Sequence, residues 1–256
     1  DRVLLLVTDR CASYCRFCTR KRLVGQGPTP THANLASALD YISAHPEVKE
    51  VILSGGDALM LDDERLADVL ERVRAIAHVE IIRIATRMLV FAPSRVGPRL
   101  LALLEEHHPV YILTHFNHPR ELCPEAERAV LALTNAGVPV LNQTVLLAGI
   151  NDDEATLATL FRHLTRLRAR PYYLHQCDLA PGTRRFRVPL TRAQAIITSL
   201  RGRVSGLSLP TFVIDVPGGR GKVPMFTSAV VDEDETSILV RGSLGGEARY
   251  PKDAVS

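Results

Sequence analysis

The chain is short of several things, and each shortage closes off a class of function. No long run of one charge sign interrupts its 256 residues: 31 basic residues are balanced by 28 acidic ones, for a formal charge of +3. A dedicated nucleic-acid or membrane-surface face is therefore not expected, since such faces are built from blocks of like charge. No apolar segment approaches the roughly 20 residues that a membrane span needs, and the N-terminus lacks the basic, apolar and small-residue order of a secretory signal. A cytoplasmic protein is the expectation. Cysteine is scarce as well: of five, Cys123 and Cys177 stand alone, which suits a reducing compartment and not a disulfide framework. Because the chain begins with Asp1, not Met, a preceding segment is expected. What is present, at 46% hydrophobic residues, suffices to bury a substantial core in one α/β domain.

The other three cysteines fall together. Cys11, Cys15 and Cys18 are spaced C-x3-C-x2-C and directly follow the apolar run Val3 to Val7. A structural zinc site takes four closed ligands, and ferredoxin clusters take four cysteines. Three thiolates with no fourth nearby would leave one iron of a [4Fe–4S] cluster open to bind something else. This spacing, just after a first strand, resembles the radical S-adenosylmethionine (SAM) enzymes. In them the open iron chelates the methionine end of SAM, and electron transfer cleaves it to a 5'-deoxyadenosyl radical.

Further strand-like runs recur near Val51 to Leu53, Ile81 to Ala85, Val110 to Leu113, Val138 to Val145 and Tyr172 to Leu174. Between them, Leu66, Val69, Leu70, Val73 and Ile76 keep a helical stripe, as do Leu157, Leu160, Phe161, Leu164 and Leu167. A strand about every 30 residues, each followed by a helix, is the rhythm of βαβ units, whose crossovers force a parallel sheet. Six units fit before Gly206. The expected fold is α/β, a partial (βα)6 barrel of the radical SAM type over residues 1–205. Residues 206–256 form a C-terminal extension packed on the same domain. Functional residues are then expected just after strand C-termini.

The motifs sit there. Ser54-Gly55-Gly56-Asp57 follows the second strand; its glycines allow close backbone approach to a ligand, and Asp57 can either accept from an ammonium or cap a helix. Arg87 follows the third strand and either grips a phosphate through its planar fork or pairs with an acid. His115 and His118 follow the fourth, Gln143 the fifth and Asp178 the sixth. With no third ligand evident, the two histidines are expected to hydrogen-bond within the barrel mouth and not to bind metal. Lys222 lies in the Gly-rich stretch Val213 to Pro224, which is not a Walker A loop because Val216 and Val223 occupy that motif's glycine and Ser/Thr places.

Taken together these residues resemble the lysine 2,3-aminomutase family. The likeness runs through Asp1 to Asp9, the Cys motif with Thr19-Arg20-Lys21-Arg22, Ser54 to Asp57, Tyr172-Tyr173-Leu174 through Asp178, and Asp215 through Pro224. That family uses SAM, a [4Fe–4S] cluster and pyridoxal phosphate (PLP) to move an amino group from Cα to Cβ of an amino acid. The resemblance implies that Cys11, Cys15 and Cys18 ligate the cluster, with Phe17 beside the SAM adenine. It implies that Ser54, Gly55, Gly56 and Asp57 bind the SAM amino group, and that Lys222 anchors PLP covalently. Arg2, Arg87 and Gln143 join the cofactor-binding set, Arg2 as the remnant of a segment that helps hold the PLP phosphate. Arg20 would hold the substrate α-carboxylate, and Asp178 and Asp215 the distal ammonium of a lysine side chain. Two carboxylates about one desolvated ammonium reject shorter or acidic side chains by leaving charges unpaired.

The implied activity is conversion of L-lysine to β-lysine, an isomerase reaction needing an electron donor such as a flavodoxin or ferredoxin and compatible with a homo-oligomer. The resemblance does not carry over a zinc site, because Asp153 stands where a zinc-binding relative has Cys and no Cys follows Cys177. One alternative is a relative acting on a lysine residue of translation elongation factor P, with which the run Tyr172 to His175 is shared; another is action on a different basic amino acid. A non-mutase iron–sulfur electron carrier is a third reading, against which the three-cysteine motif counts.

Overall fold

The computed structural model describes residues 1–21, 24–25, 30, 32–218, 220–225, 229–242 and 246–252; Arg22 and Gly219 of the family-like motifs lie outside the described residues. Strands and helices alternate as the hydrophobic periods require: β1 (Arg2–Thr8), α1 (His32–Ser43), β2 (Glu50–Gly55), α2 (Asp63–Arg74) and β3 (Ile81–Ala85). The third crossover holds two helices, α3 (Met88–Phe91) and α4 (Pro98–Glu106), because Pro93 and the Gly97-Pro98 step break the chain between them. There follow β4 (Val110–Thr114), α5 (Pro124–Asn135), β5 (Val140–Leu146), α6 (Glu154–Arg166), β6 (Ala169–Gln176) and α7 (Leu190–Leu200).

The sheet runs in chain order, each strand paired in parallel with the next from β1 onward. The extension does not simply pack on this barrel. Its first strand, β7 (Thr211–Asp215), pairs in parallel with β6, and β8 (Lys222–Pro224) folds back antiparallel to β7. The result is one open eight-stranded sheet with β1 and β8 at its edges. A separate three-stranded sheet follows, of β9 (Val230–Glu233), β10 (Ser237–Arg241) and β11 (Glu247–Pro251), in the order β11-β10-β9.

One face of the barrel sheet is sealed by helices. Val51, Leu53, Ile82, Ile84, Val110 and Ile112 are fully buried there with Leu66, Leu70, Leu104 and Val130, each such side chain contributing roughly 1.5–3 kcal/mol relative to exposure. Strand neighbours point to the other face, where Ile52, Arg83 and Tyr111 share a register and are half-buried. Arg83 is ion-paired with Glu50 there. Asp62 and Asp153 cap α2 and α6, accepting from the Arg65 and Thr156 amides at 2.9 and 2.8 Å. Asp153 therefore has a structural task. Among the described residues no helix is long and apolar enough to cross a membrane.

Candidate active site

The C-terminal ends of the strands open onto a cleft of about 1110 Å³, solvent at its mouth included. Cys11, Cys15 and Cys18 line one wall, and Gln143, His175, Asp178, Asp215 and Lys222 line the wall opposite.

The cysteine wall is fixed by backbone. The Gly56 amide donates to Thr8 O at 2.6 Å and the Asp57 amide to Arg10 O at 2.7 Å, stitching the turn after β2 to the root of the Cys loop. A Cβ on Gly55, whose φ is +109°, would stand 2.2 Å from Thr8 O, and one on Gly56 2.0 Å from Arg10 O. The glycines are thus required by the chain's own crossing strand end; the sequence alone suggested a ligand as the cause. Asp57, 7% exposed, serves first as a brace. Its Oδ1 accepts from the Thr86 hydroxyl at 2.6 Å and the Leu59 amide at 3.1 Å, and its Oδ2 from the Arg87 amide at 2.6 Å. Burial raises its pKa, and the hydrogen bonds from Thr86, Arg87 and Leu59 oppose that. Ser54 is fully buried beneath the turn and does not line the cleft; its hydroxyl has no partner among the described residues.

Arg87 takes the acid-pairing option. Its Nη2 meets Glu121 Oε1 at 2.7 Å, its Nε donates to His115 O at 3.0 Å, and its Nη1 donates to Cys15 Sγ at 3.0 Å. The same guanidinium lies over the Phe17 and Phe91 rings, 5.2 and 4.6 Å from their centroids. A fork so engaged organises the Cys loop. Arg2 is displaced further. As the first residue of β1 it lies at the opposite end of that strand from the Cys loop, about 20 Å along a seven-residue strand, and it pairs with Asp1 at 2.9 Å. It does not join the cleft. Arg20 does, and its guanidinium makes no ion pair among the described residues.

The facing wall consists of side chains that hold one another. Asp215 and Lys222 are cross-strand partners in the β7–β8 hairpin, with Nζ 2.6 Å from Oδ1. The other oxygen, Oδ2, lies 3.3 Å from His175 Nδ1. Burial works to raise Asp215, but the hydrogen bonds from His175 and Lys222 and the lysine charge outweigh it and hold the carboxyl at about 2. Asp178 moves the other way: burial and the neighbouring charge of Asp215 raise it. Two close carboxylates with opposite shifts leave an anionic pocket served by a single lysine. His175 is the residue that the sequence reading left without a role. Its signal was strand alternation, since Tyr173 and His175 lie two apart near the end of β6 and so share a face.

His115 faces the cleft, its ring 6.2 Å from Phe17 and 6.4 Å from His175, and burial followed by the charges of His175, Arg87 and Arg20 lowers it to about 3. His118 instead caps a short 3-10 turn, its Nδ1 accepting from the Arg120 amide. Among the described residues, no group of three or more His, Cys, Asp or Glu side chains converges on a single ion. Cys11, Cys15 and Cys18 are unbridged thiols on one wall, and burial, Asp57 and the other two cysteines raise Cys11 to about 11. Three thiols on one loop at the cleft fit as the ligands of an iron–sulfur cluster with one iron left open. Lys222, half exposed on the cleft, fits as the amine that anchors PLP, with Gln143 and Arg20 also on the walls.

A partial α/β barrel with three cysteines on the loop after its first strand defines a class. The sequence profile of the Radical SAM superfamily matches residues 5–161, and that of "Lysine-2,3-aminomutase" matches 197–254. The chain is 46% identical over 251 residues to the L-lysine 2,3-aminomutase of Acetoanaerobium sticklandii, covering 98% of this chain and 61% of that one. It is 39% identical over 242 residues to the glutamate 2,3-aminomutase of Clostridioides difficile, covering 94% and 57%. A radical SAM methyltransferase from Sphaerobacter thermophilus superposes with a TM-score of 0.59 at 18% identity, over 83% of this chain and 66% of that one, and shares the fold. The chain belongs to the lysine 2,3-aminomutase family of radical SAM enzymes. It spans about three fifths of the length of the curated relatives that match it first. The cofactors of this family are a [4Fe–4S] cluster, SAM and PLP.

Proposed function

We propose that this chain carries the catalytic barrel of an aminomutase that moves the α-amino group of L-lysine to Cβ. The observation that supports it most is that Asp178 and Asp215, close enough for their charges to interact, share one cleft with Arg20, with Lys222 seated on Asp215 at 2.6 Å. Lys222 presents to Asp215 the same group that a lysine substrate carries at its distal end, a primary ammonium. Were Lys222 to hold PLP, its ammonium would leave Asp215, and the two aspartates would be free to take the substrate's own. An acidic side chain there would meet two carboxylates and leave all three unpaired.

In this reading Cys11, Cys15 and Cys18 would hold the cluster, and Phe17 would lie beside the SAM adenine. The Gly55-Gly56-Asp57 turn sets the loop at its distance from the facing wall. Gln143 contributes to the cofactor wall. When bound, SAM on the cluster would supply a hydrogen-abstracting radical, and PLP, joined to the substrate nitrogen, would supply the conjugated system that spreads the unpaired electron while that nitrogen shifts from Cα to Cβ. Arg20 fixes the α-carboxylate and the two aspartates fix the distal ammonium, so the intervening carbons are held between the walls. His175, bonded to Asp215, keeps that carboxylate ionised and aimed. We further read residues 1–205 as the barrel and 206–256 as an extension working with it, in a cytoplasmic setting, with reduction by an external one-electron donor.

The test is anaerobic reconstitution with iron, sulfide, SAM and PLP, followed by chromatography of L-lysine, L-glutamate and elongation factor P incubations. β-Lysine is expected from the first alone. Turnover of glutamate without lysine, or modification of the protein alone, would overturn the substrate assignment.

A further inference from the structure

The Cys loop is a wall with two sides. Cys15, Phe17, Arg87 and Phe91 line the barrel cleft and also a second, shallower cleft on the outer side, where Ile150 and Phe186 complete the surface. Large apolar side chains stand exposed around that outer cleft: Tyr14 is 70% exposed, Phe91 44% and Ile150 42%. The guanidinium groups of Arg16 and Arg185, both exposed, lie 5.9 and 4.7 Å from the Phe186 ring centroid, and exposed Arg184 adjoins them in the chain. Among the described residues the nearby acids are already committed, Glu121 to Arg87, Asp152 to Arg192 and Asp153 to the first turn of α6. An apolar centre rimmed by arginines has the composition of a protein interface. Its positive rim selects an acidic partner and speeds the encounter.

We propose that this outer face docks an acidic one-electron-transfer protein, whose electron enters the cluster through Cys15. The proposal rests on the reading above that Cys11, Cys15 and Cys18 hold the cluster. In the step the donor's cofactor loses one electron and the cluster gains one, with no bond made or broken. The inner side of the loop faces a cleft that small cofactors and substrate fill, so the outer side is the one open to a macromolecule. Cys15 is the cluster cysteine that reaches both.

The experiment is stopped-flow reduction of the reconstituted chain by fully reduced flavodoxin, an acidic protein donor, beside reduction by dithionite, followed by bleaching of the cluster absorbance. Arg185→Glu and Ile150→Asp are compared with wild type, and oxidised flavodoxin is titrated against each to measure binding. The flavodoxin rate should fall at least tenfold in each variant at low salt, and the wild-type rate should drop steeply with added salt, while iron content and the dithionite rate stay unchanged. Wild-type flavodoxin rates and binding in both variants would overturn the proposal. So would a change of oligomeric mass in the variants by light scattering, which would mark the face as a contact between copies of this chain. Absence of a dithionite-reducible cluster in wild type would instead overturn the functional reading, and the docking face with it.

Discussion

The two walls of the cleft are built on different terms. On the cysteine side the positions are set by main-chain bonds and by glycines that admit no Cβ, with Arg87 and Asp57 each tying several elements together. On the other side His175, Asp215 and Lys222 satisfy one another, and each bond can be exchanged for a bond to a ligand. A wall of the first kind holds its shape without ligand, and damage to it is felt in assembly. A wall of the second kind is reassigned on binding, and damage to it is felt in selectivity.

The sharpest way to break that comparison is Gly56→Ala. Its Cβ would meet the Arg10 carbonyl, backbone that cannot yield without moving Cys11, so iron per chain after reconstitution should fall to a small fraction of wild type. Retention of full iron would show that the loop is not held by this turn. Asp57→Asn is the milder version: one acceptor facing the Arg87 amide becomes a donor, costing about 1–3 kcal/mol of unfolding free energy by denaturant titration.

A pH experiment separates the walls by stability. His115 takes up a proton near 6.5 when unfolded and only near 3 when folded. Its folded value is depressed, so its contribution is complete above about pH 6.5 and is lost as pH falls toward 3. Iron-free protein should therefore lose stability across that window at up to about 1.4 kcal/mol per pH unit from this group, and His115→Gln should remove that part of the slope. An unchanged slope in the variant would place the imidazole in contact with water. The smallest effect is expected at Lys222→Met, where a half-exposed ion pair is worth about 1 kcal/mol or less. Its melting temperature should stay within about 3 °C of wild type, while borohydride-trapped pyridoxyl label is lost from the peptide that holds residue 222.

Much of this was legible in the chain. Apolar periodicity located the strands and the α2 and α6 stripes because the helix-covered face of the sheet and the inward face of each helix carry apolar side chains at fixed spacing. The cysteine spacing and the Gly-rich Lys222 stretch pointed to chemistry gathered at strand ends. What sequence could not supply were partners across long separations. Arg87 meets Glu121 and Cys15, and Asp57 meets Thr86; each of these depends on where strand ends lie in space. The Gly55-Gly56 pair was read correctly as a place of close approach, but the approaching group is the chain itself. Arg2 was carried by resemblance to a site that lies beyond the opposite end of its own strand. The β7–β8 hairpin escaped notice because an edge pair of five and three residues has too few positions to show a period.

The most direct test of the central claim, that the distal ammonium of lysine replaces Lys222 on the aspartate pair, is kcat/KM for L-lysine in Asp215→Asn with PLP occupancy measured in parallel. Loss of one charge partner from a desolvated ammonium typically costs on the order of 2–5 kcal/mol. A fall of roughly 30- to 4000-fold with PLP occupancy held is therefore predicted. Unaltered lysine turnover, or a loss that tracks PLP occupancy alone, would contradict it.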